Sequence, residues 1–531
     1  MEDGRGQLAT CARLLSRQST DDEKLAGLLL LPRVVDPRDR AAVAYVFEAL
    51  DCRFVGRLLR TGLKQAAAGD TAMLSVAVSV VDLLASHGDI ASDPRLLDRM
   101  PGLFDAACVA APAVAAEAVQ ALCKLLAHDA AVRALLGRPD LLAGAVDAAV
   151  AHAESLRLSQ FIDYALDRCS RLICGSGKDC AGGWVAAVGC VAAAFRGSGG
   201  RLKFELLPAV ASALEPLGAE DAAAADRAGG CARLAADIGA GCVAVLQQRT
   251  EVTAHLDQAL VLYSHLARLW PGHVFRPVAE PGPSAEAELA LRLACVEGQA
   301  AIDAMLICAP PSPGRGGAQA ARDADRARVR RGWKLPFCAA VAAAWLEWAA
   351  RWLDDQPAQA PVDEPAICAV MAEVQKLAAA AVGFLVDWRE RVPAEQDMLA
   401  AAPELVLCAV RLLGQWLATD PAMHRDAMPV LAMCASWASS PAGGEHSAAV
   451  ADYMRPSVAF ALETCGIAED HYVASLAARE LRSGSGRREQ PHEAPSPWVG
   501  TMEFDDLARA VYGIPSDEDV LRARQAARGG R

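Results

Sequence analysis

Apolar residues recur along this chain at intervals of three and four, in long stretches broken by short polar turns. Val76, Val80, Leu83 and Leu84 form one such stripe, and Val119, Leu122, Leu125 and Leu126 form another. This spacing gathers side chains on one face of an α-helix, which takes about 3.6 residues per turn. No series of short alternating runs joined by hairpin dipeptides appears, so a sheet domain is not expected. The pattern also repeats. DLLASHGDIASDPRLLDRMPGLFDAA, around Leu83, and KLLAHDAAVRALLGRPDLLAGAVDAA, around Leu125, share one layout: an LLA triplet, a polar turn, a brief Leu-rich helix, a Pro, and another apolar helix. The two triplets lie 42 residues apart, and a third version, QWLATDPAMHRDAMPVLAMCAS, starts at Gln415. Repeats of about 40–47 residues have the armadillo/HEAT period. One helical hairpin cannot bury its apolar face alone, so neighbours stack and share a continuous core. The predicted fold class is therefore all-α, an armadillo/HEAT-like superhelical solenoid of stacked helical hairpins.

The expected array covers residues 1–482, with Pro/Gly/Ala-rich loops near 278–286, 308–320, 354–365 and 439–447. Residues 483–531 read as a disordered linker ending in one or two short helices, the first marked by Phe504, Leu507 and Val511.

Composition supports this picture and narrows the function. Hydrophobic residues make up 53% and aromatics 5%, with Ala dominant. An Ala/Leu core suits closely packed helices and suits sheets poorly. The net charge of −13 argues against non-specific attraction to nucleic acid or anionic lipid. The 17 cysteines are scattered through apolar runs, as at Cys123, Cys190, Cys295 and Cys408, and read as reduced thiols. The polar start MEDGRGQL carries no secretory pattern, and the uncharged run Cys180 to Phe195 is too short and Gly-rich to span a bilayer. A cytoplasmic protein without an integral membrane segment is expected. The chain has no Asn, which excludes an N-glycosylation sequon and a catalytic Asn.

Five stretches go beyond a generic repeat. EKLAGLLLLPRVVDPRDRAAVAYVFEALDCRFVGRLLRT, from Glu23, resembles the N-terminal repeat of the neurochondrin family. LASHGDIASDPRLLDRMPGLF, from Leu84, is similar to that family's next unit. RLKFELLPAV from Arg201, ELALRLACVEGQAAI from Glu288 and VRLLGQWLA from Val410 resemble later family segments. The matches come in the family's order, over roughly residues 20–435, and stop after about residue 440, where family members usually carry a longer helical region. The resemblance implies an armadillo-like fold, no catalytic activity and a cytoplasmic location. Animal members are linked to neurite outgrowth and to restraint of calcium/calmodulin-dependent kinase signalling. They also carry adjacent N-terminal cysteines suited to lipidation, whereas here Cys11 stands without such a pair.

No complete catalytic motif is present. GSGKD at 175–179 lacks the P-loop's first Gly, replaced by Leu172, and its hydroxyl, replaced by Asp179. Cys169, Cys174 and Cys180 have the wrong spacing for zinc. Neither HExxH nor Gly-x-Ser-x-Gly occurs. No catalytic residue, metal or cofactor is expected. Arg322, Arg326, Arg330 and Arg331 form the densest basic stretch, with the first three on one helical face. They read either as a solvated face or as a dock for an acidic peptide or phosphate. Trp333 follows them, and Trp345, Trp348 and Trp352 share one face, as core or as an interface anchor. The leading reading is a non-enzymatic scaffold that binds protein or peptide partners through a helical-repeat groove. The alternative is a regulator that inhibits a signalling kinase, and an uncharacterised enzyme is the remote one.

Overall fold

The computed structural model describes residues 2–419 apart from 110, 152–155, 176, 249–252, 276–282, 308–331, 356–363 and 392–402, together with scattered positions between 427 and 454. The expected tail 483–531 and most of the four expected loops lie outside the described residues. Every regular element among the described residues is helical. The chain forms two compact units, Met1–Val274 and Phe275–Arg531.

The first unit opens with α1 (Glu2–Leu14) and α2 (Asp21–Val34). Three-helix repeats follow. The first holds α3 (Arg40–Ala49), α4 (Cys52–Ala66) and α5 (Ala72–Leu84). In the second, two short turns, α6 (Gly88–Ala91) and α7 (Pro94–Leu97), precede α8 (Met100–Ala107) and α9 (Pro112–Leu126). The third is α10 (Asp129–Leu136), α11 (Pro139–Ala151) and α12 (Leu156–Gly175). The fourth shrinks its first helix to a 3₁₀ turn, Lys178–Cys180, before α13 (Ala181–Gly197) and α14 (Gly200–Leu214). The fifth is α15 (Ala219–Ala228), α16 (Cys231–Leu246) and α17 (Thr253–Leu269), and α18 (Pro271–Val274) ends the unit. The local signals are physical. Thr20 and Glu23 form a reciprocal capping box at the start of α2, and Asp93 caps α7 just before Pro94. Gly229 and Gly230, at φ +87° and +89°, make the reversal between α15 and α16 that a side chain would strain.

Second helices stack in one layer, α4, α8, α11, α13 and α16, and third helices in another, α2, α5, α9, α12, α14 and α17. The repeat period is visible in bonds between repeats, several of which join residues 42 apart. Lys124 Nζ donates to Asp82 Oδ2 at 2.7 Å, Arg168 Nε to the Leu126 carbonyl at 3.0 Å, and Lys178 Nζ to Glu220 Oε2 at 2.7 Å. The Cys174 thiol donates to the Pro216 carbonyl at 3.1 Å.

The core is aliphatic, with large rings at a few centres. Buried Trp184 donates its indole N–H to Ser170 Oγ at 2.9 Å, and Trp270 donates to the Ala222 carbonyl at 3.2 Å. Both of these indoles thus keep their one donor satisfied. Gly183 lets α13 pass so close to the end of α10 that a Cβ there would meet the Leu136 carbonyl.

The stretch Lys178–Gly197, which includes the apolar run judged too short for a bilayer, is 20 residues long with a mean hydropathy of 1.3. Cys368–Asp387 is similar, at 1.6, so length and composition alone would let both cross a membrane. In the fold, however, α13 buries Trp184, Val188, Val191 and Phe195 against α11, α14 and α16. Its hydropathy follows from being the central helix of a stack, which is apolar on most sides.

The second unit holds α19 (Pro283–Ile307), α20 (Leu335–Asp355), α21 (Glu364–Arg391) and α22 (Pro403–Thr419). Here α19 packs on α20 and α21 on α22, while α19 also packs on α21 and α20 on α22. This is one helical hairpin stacked on another, the two-helix form of the same repeat logic.

Candidate functional site

The third-helix layer of the first unit gathers the most polar chemistry. Ser79 on α5 donates to Glu117 on α9 at 3.1 Å. From α12, the Tyr164 hydroxyl donates to the Cys123 carbonyl on α9 at 3.2 Å, and Arg157 Nη1 to the Pro112 carbonyl at 2.8 Å. On its other side, Ser159 donates to Glu205 on α14 at 3.0 Å, and Asp163 accepts from Ser212. Phe204 on α14 stacks on His255 of α17 with ring centroids 4.4 Å apart. Polar contacts and one ring stack therefore run from helix to helix across α5, α9, α12, α14 and α17. Gln120 and Gln160 are exposed on this layer.

Hydrogen-bonding capacity is left over there. Asp82 Oδ1, Asp163 Oδ1 and His255 Nδ1 are buried atoms without a hydrogen-bond partner. Burial, opposed by the Ser212 hydroxyl and reinforced by Asp167, raises the Asp163 carboxyl above its ordinary value. Buried groups that still lack partners are uncommon in folded proteins. Three of them occur in this one layer, inside the packing between helices.

The cysteines point away from chemistry. Burial pushes the Cys169 thiol up to about 12 and, with Asp221 beside it, Cys174 up to about 12. Thiols held protonated are poor nucleophiles and poor metal ligands. No grouping suited to a metal ion occurs among the described residues. Lys178, of the P-loop-like stretch, pairs with Glu220 on the neighbouring repeat.

The basic stretch Arg322, Arg326, Arg330 and Arg331 lies outside the described residues. Trp333 is half-buried, its ring edge-on to Phe337 at 5.6 Å. Trp345 is buried, and Trp348 is half-buried against Phe275 with centroids 6.0 Å apart. The two therefore belong to the packing of the second unit, and the side chain of Trp352 lies outside the described residues. Below them, Glu347 on α20 receives both Gln415 Nε2 at 3.2 Å and Arg411 Nη2 at 3.5 Å from α22.

The neurochondrin family pattern matches residues 2–433. The chain belongs to the neurochondrin family. That span takes in the whole third-helix layer and continues through the four long helices of the second unit. Comparison with individual curated proteins gives no match. The neurochondrin family is generally not enzymatic. Sequence reading picked out the basic stretch and the tryptophans and passed over this layer. One signal was available: Asp82 and Lys124, of opposite charge, stand one repeat period apart.

Proposed function

We propose that this neurochondrin-family protein is a non-enzymatic scaffold whose third-helix layer holds an extended segment of a partner protein. The observation that carries the reading is the row of polar side chains across successive helices, with Gln120 on α9 and Gln160 on α12 exposed to solvent. An extended peptide arrives with unpaired main-chain N–H and C=O groups, and a row of side chains across successive helices is what such groups need. The net charge of −13 disfavours nucleic acid as the partner. A cytoplasmic setting suits the buried thiols such as Cys242 and Cys295, which burial holds protonated.

The test is affinity purification of the tagged full chain from its native extract, read by mass spectrometry, beside two variants. One carries Gln120→Arg and Gln160→Arg on the layer. The other reverses Arg322, Arg326 and Arg330 to Glu. Loss of a specific partner in the first variant alone supports the layer. Loss in the second alone moves binding to the basic stretch, and a partner kept by both, or none at all, overturns the proposal.

A further inference from the structure

The outward face of α2 has a composition that fits itself. Asp22, Ala26, Leu29 and Arg33 follow one another at i, i+4, i+7 and i+11, so they form one stripe along the helix, and all are exposed. Leu29 is 55% exposed and Leu30 40%. Of the large apolar side chains exposed among the described residues, only these two are neighbours in the chain. The opposite side of the helix is committed to the fold through Gly27, Leu28 and Leu31. The stripe thus runs from an acid, through an apolar centre, to a base.

The other charges around the helix are used internally. Asp21 pairs with Arg57 at 2.6 Å, Glu23 closes the capping box with Thr20, and Lys24 pairs with buried Asp51 at 3.0 Å. Asp22 and Arg33 make no ion pair among the described residues. They are the two charges of the outward stripe, one at each end.

We propose that α2 is a self-association surface, on which a second copy of this chain docks antiparallel through its own α2. Place a two-fold axis between Gly27 and Leu28. Asp22 then faces Arg33 of the second copy, and Ala26 faces its Leu29. Every pair is complementary, charge to opposite charge and small side chain to large, and the two-fold makes each pair occur twice. A parallel pairing would put acid on acid and base on base. A contact four helical turns long is small beside permanent dimer interfaces, so association in the micromolar range is expected. This surface is the outward face of α2, whereas the partner-binding reading above rests on the helices from α5 to α17, and it stands without that reading.

The test is sedimentation equilibrium of the full chain across a micromolar concentration series. The parent is expected to shift reversibly between monomer and dimer. Leu29→Glu should leave it monomeric, with its helical circular dichroism unchanged because the site is exposed. Asp22→Arg and Arg33→Asp should each weaken the dimer by roughly tenfold or more, since each turns two attractive pairs repulsive. The combined Asp22→Arg, Arg33→Asp variant should recover the dimer, because the swapped charges still oppose each other. A parent that stays monomeric throughout the series overturns the proposal. So does a dimer indifferent to Leu29→Glu, or a combined variant no better than the single ones.

Discussion

His265 on α17 lies beside Arg268, whose Nη2 stands 3.3 Å from the ring's Nδ1. Burial, with the neighbouring guanidinium adding to it, lowers the imidazole from its usual 6.5 to about 4. The ring is therefore neutral in the folded protein, with Nδ1 accepting from Arg268, and the preference for the neutral form is about 3 kcal/mol. Above pH 6.5 neither the folded nor the unfolded chain binds this proton, so the full stability is present there. Between 6.5 and about 4 the unfolded chain takes the proton and the folded one does not, and stability falls as the pH drops. At a pH of about 4.5 the loss should be about 2.5 kcal/mol. The assay is urea unfolding of the full chain followed by tryptophan fluorescence, for the parent and for His265→Gln, at neutral and at acidic pH. Trp184 and Trp270, with ring centroids 6.5 Å apart, report on the same unit. Gln keeps an acceptor toward Arg268 and cannot titrate, so the variant should lose less stability by that amount. Parallel losses in the two proteins would refute the reasoning, as would an NMR titration placing the His265 ring near 6.5.

Three further predictions concern packing and charge. Asp163→Asn should stabilise the protein by about 1 kcal/mol at neutral pH, because a buried carboxylate with a raised pKa costs stability once the pH exceeds its folded value; chemical denaturation that shows no gain refutes it. Gly183→Ala should cost about 2 kcal/mol, since the added Cβ meets the Leu136 carbonyl and α13 must move, and it should lower the melting point by several degrees. Lys24→Met should cost about 3 kcal/mol by stranding Asp51, whose side chain is 10% exposed. Burial alone would raise the Asp51 carboxyl, but Lys24, the Arg53 amide and Arg57 together hold it below its ordinary value. Its contribution is therefore present above the usual carboxylate range and lost as the pH falls through the lower folded value. Hydrogen exchange faster at neutral pH in α2 and α4 than in the parent would register the loss of that contribution.

The repeat was legible because it is written in local spacing. The LLA triplets at Leu83 and Leu125 end α5 and α9, and their separation of 42 residues reappears as the offset of several bonds between repeats. Trp345 was readable as core from its position on an apolar face, and it is buried. The third-helix layer was not readable, since Asp163 and Ser212, or Phe204 and His255, become neighbours only when repeats stack. No short-range pattern encodes that meeting. The Cys180–Phe195 run is a different case. As a run of letters it falls short of a membrane span, whereas the 3₁₀ turn and α13 that contain it together cover Lys178 to Gly197. The charge pattern of α2 was in plain view, but Asp22 and Arg33 gain meaning only once Asp21, Glu23 and Lys24 are seen to be occupied.

That bonds between repeats join partners about one period apart, 42 residues in four of them, also has a mechanical consequence. Each clasp closes a loop of about one period and, among the described residues of the first unit, none reaches across two, so tension on the ends of that unit would meet resistance rung by rung. Opening one clasp would free a strand of chain about 140 Å long before the next took the load. Such a molecule would lengthen in even steps, as an extensible tether whose increment is set by the period of its own repeat.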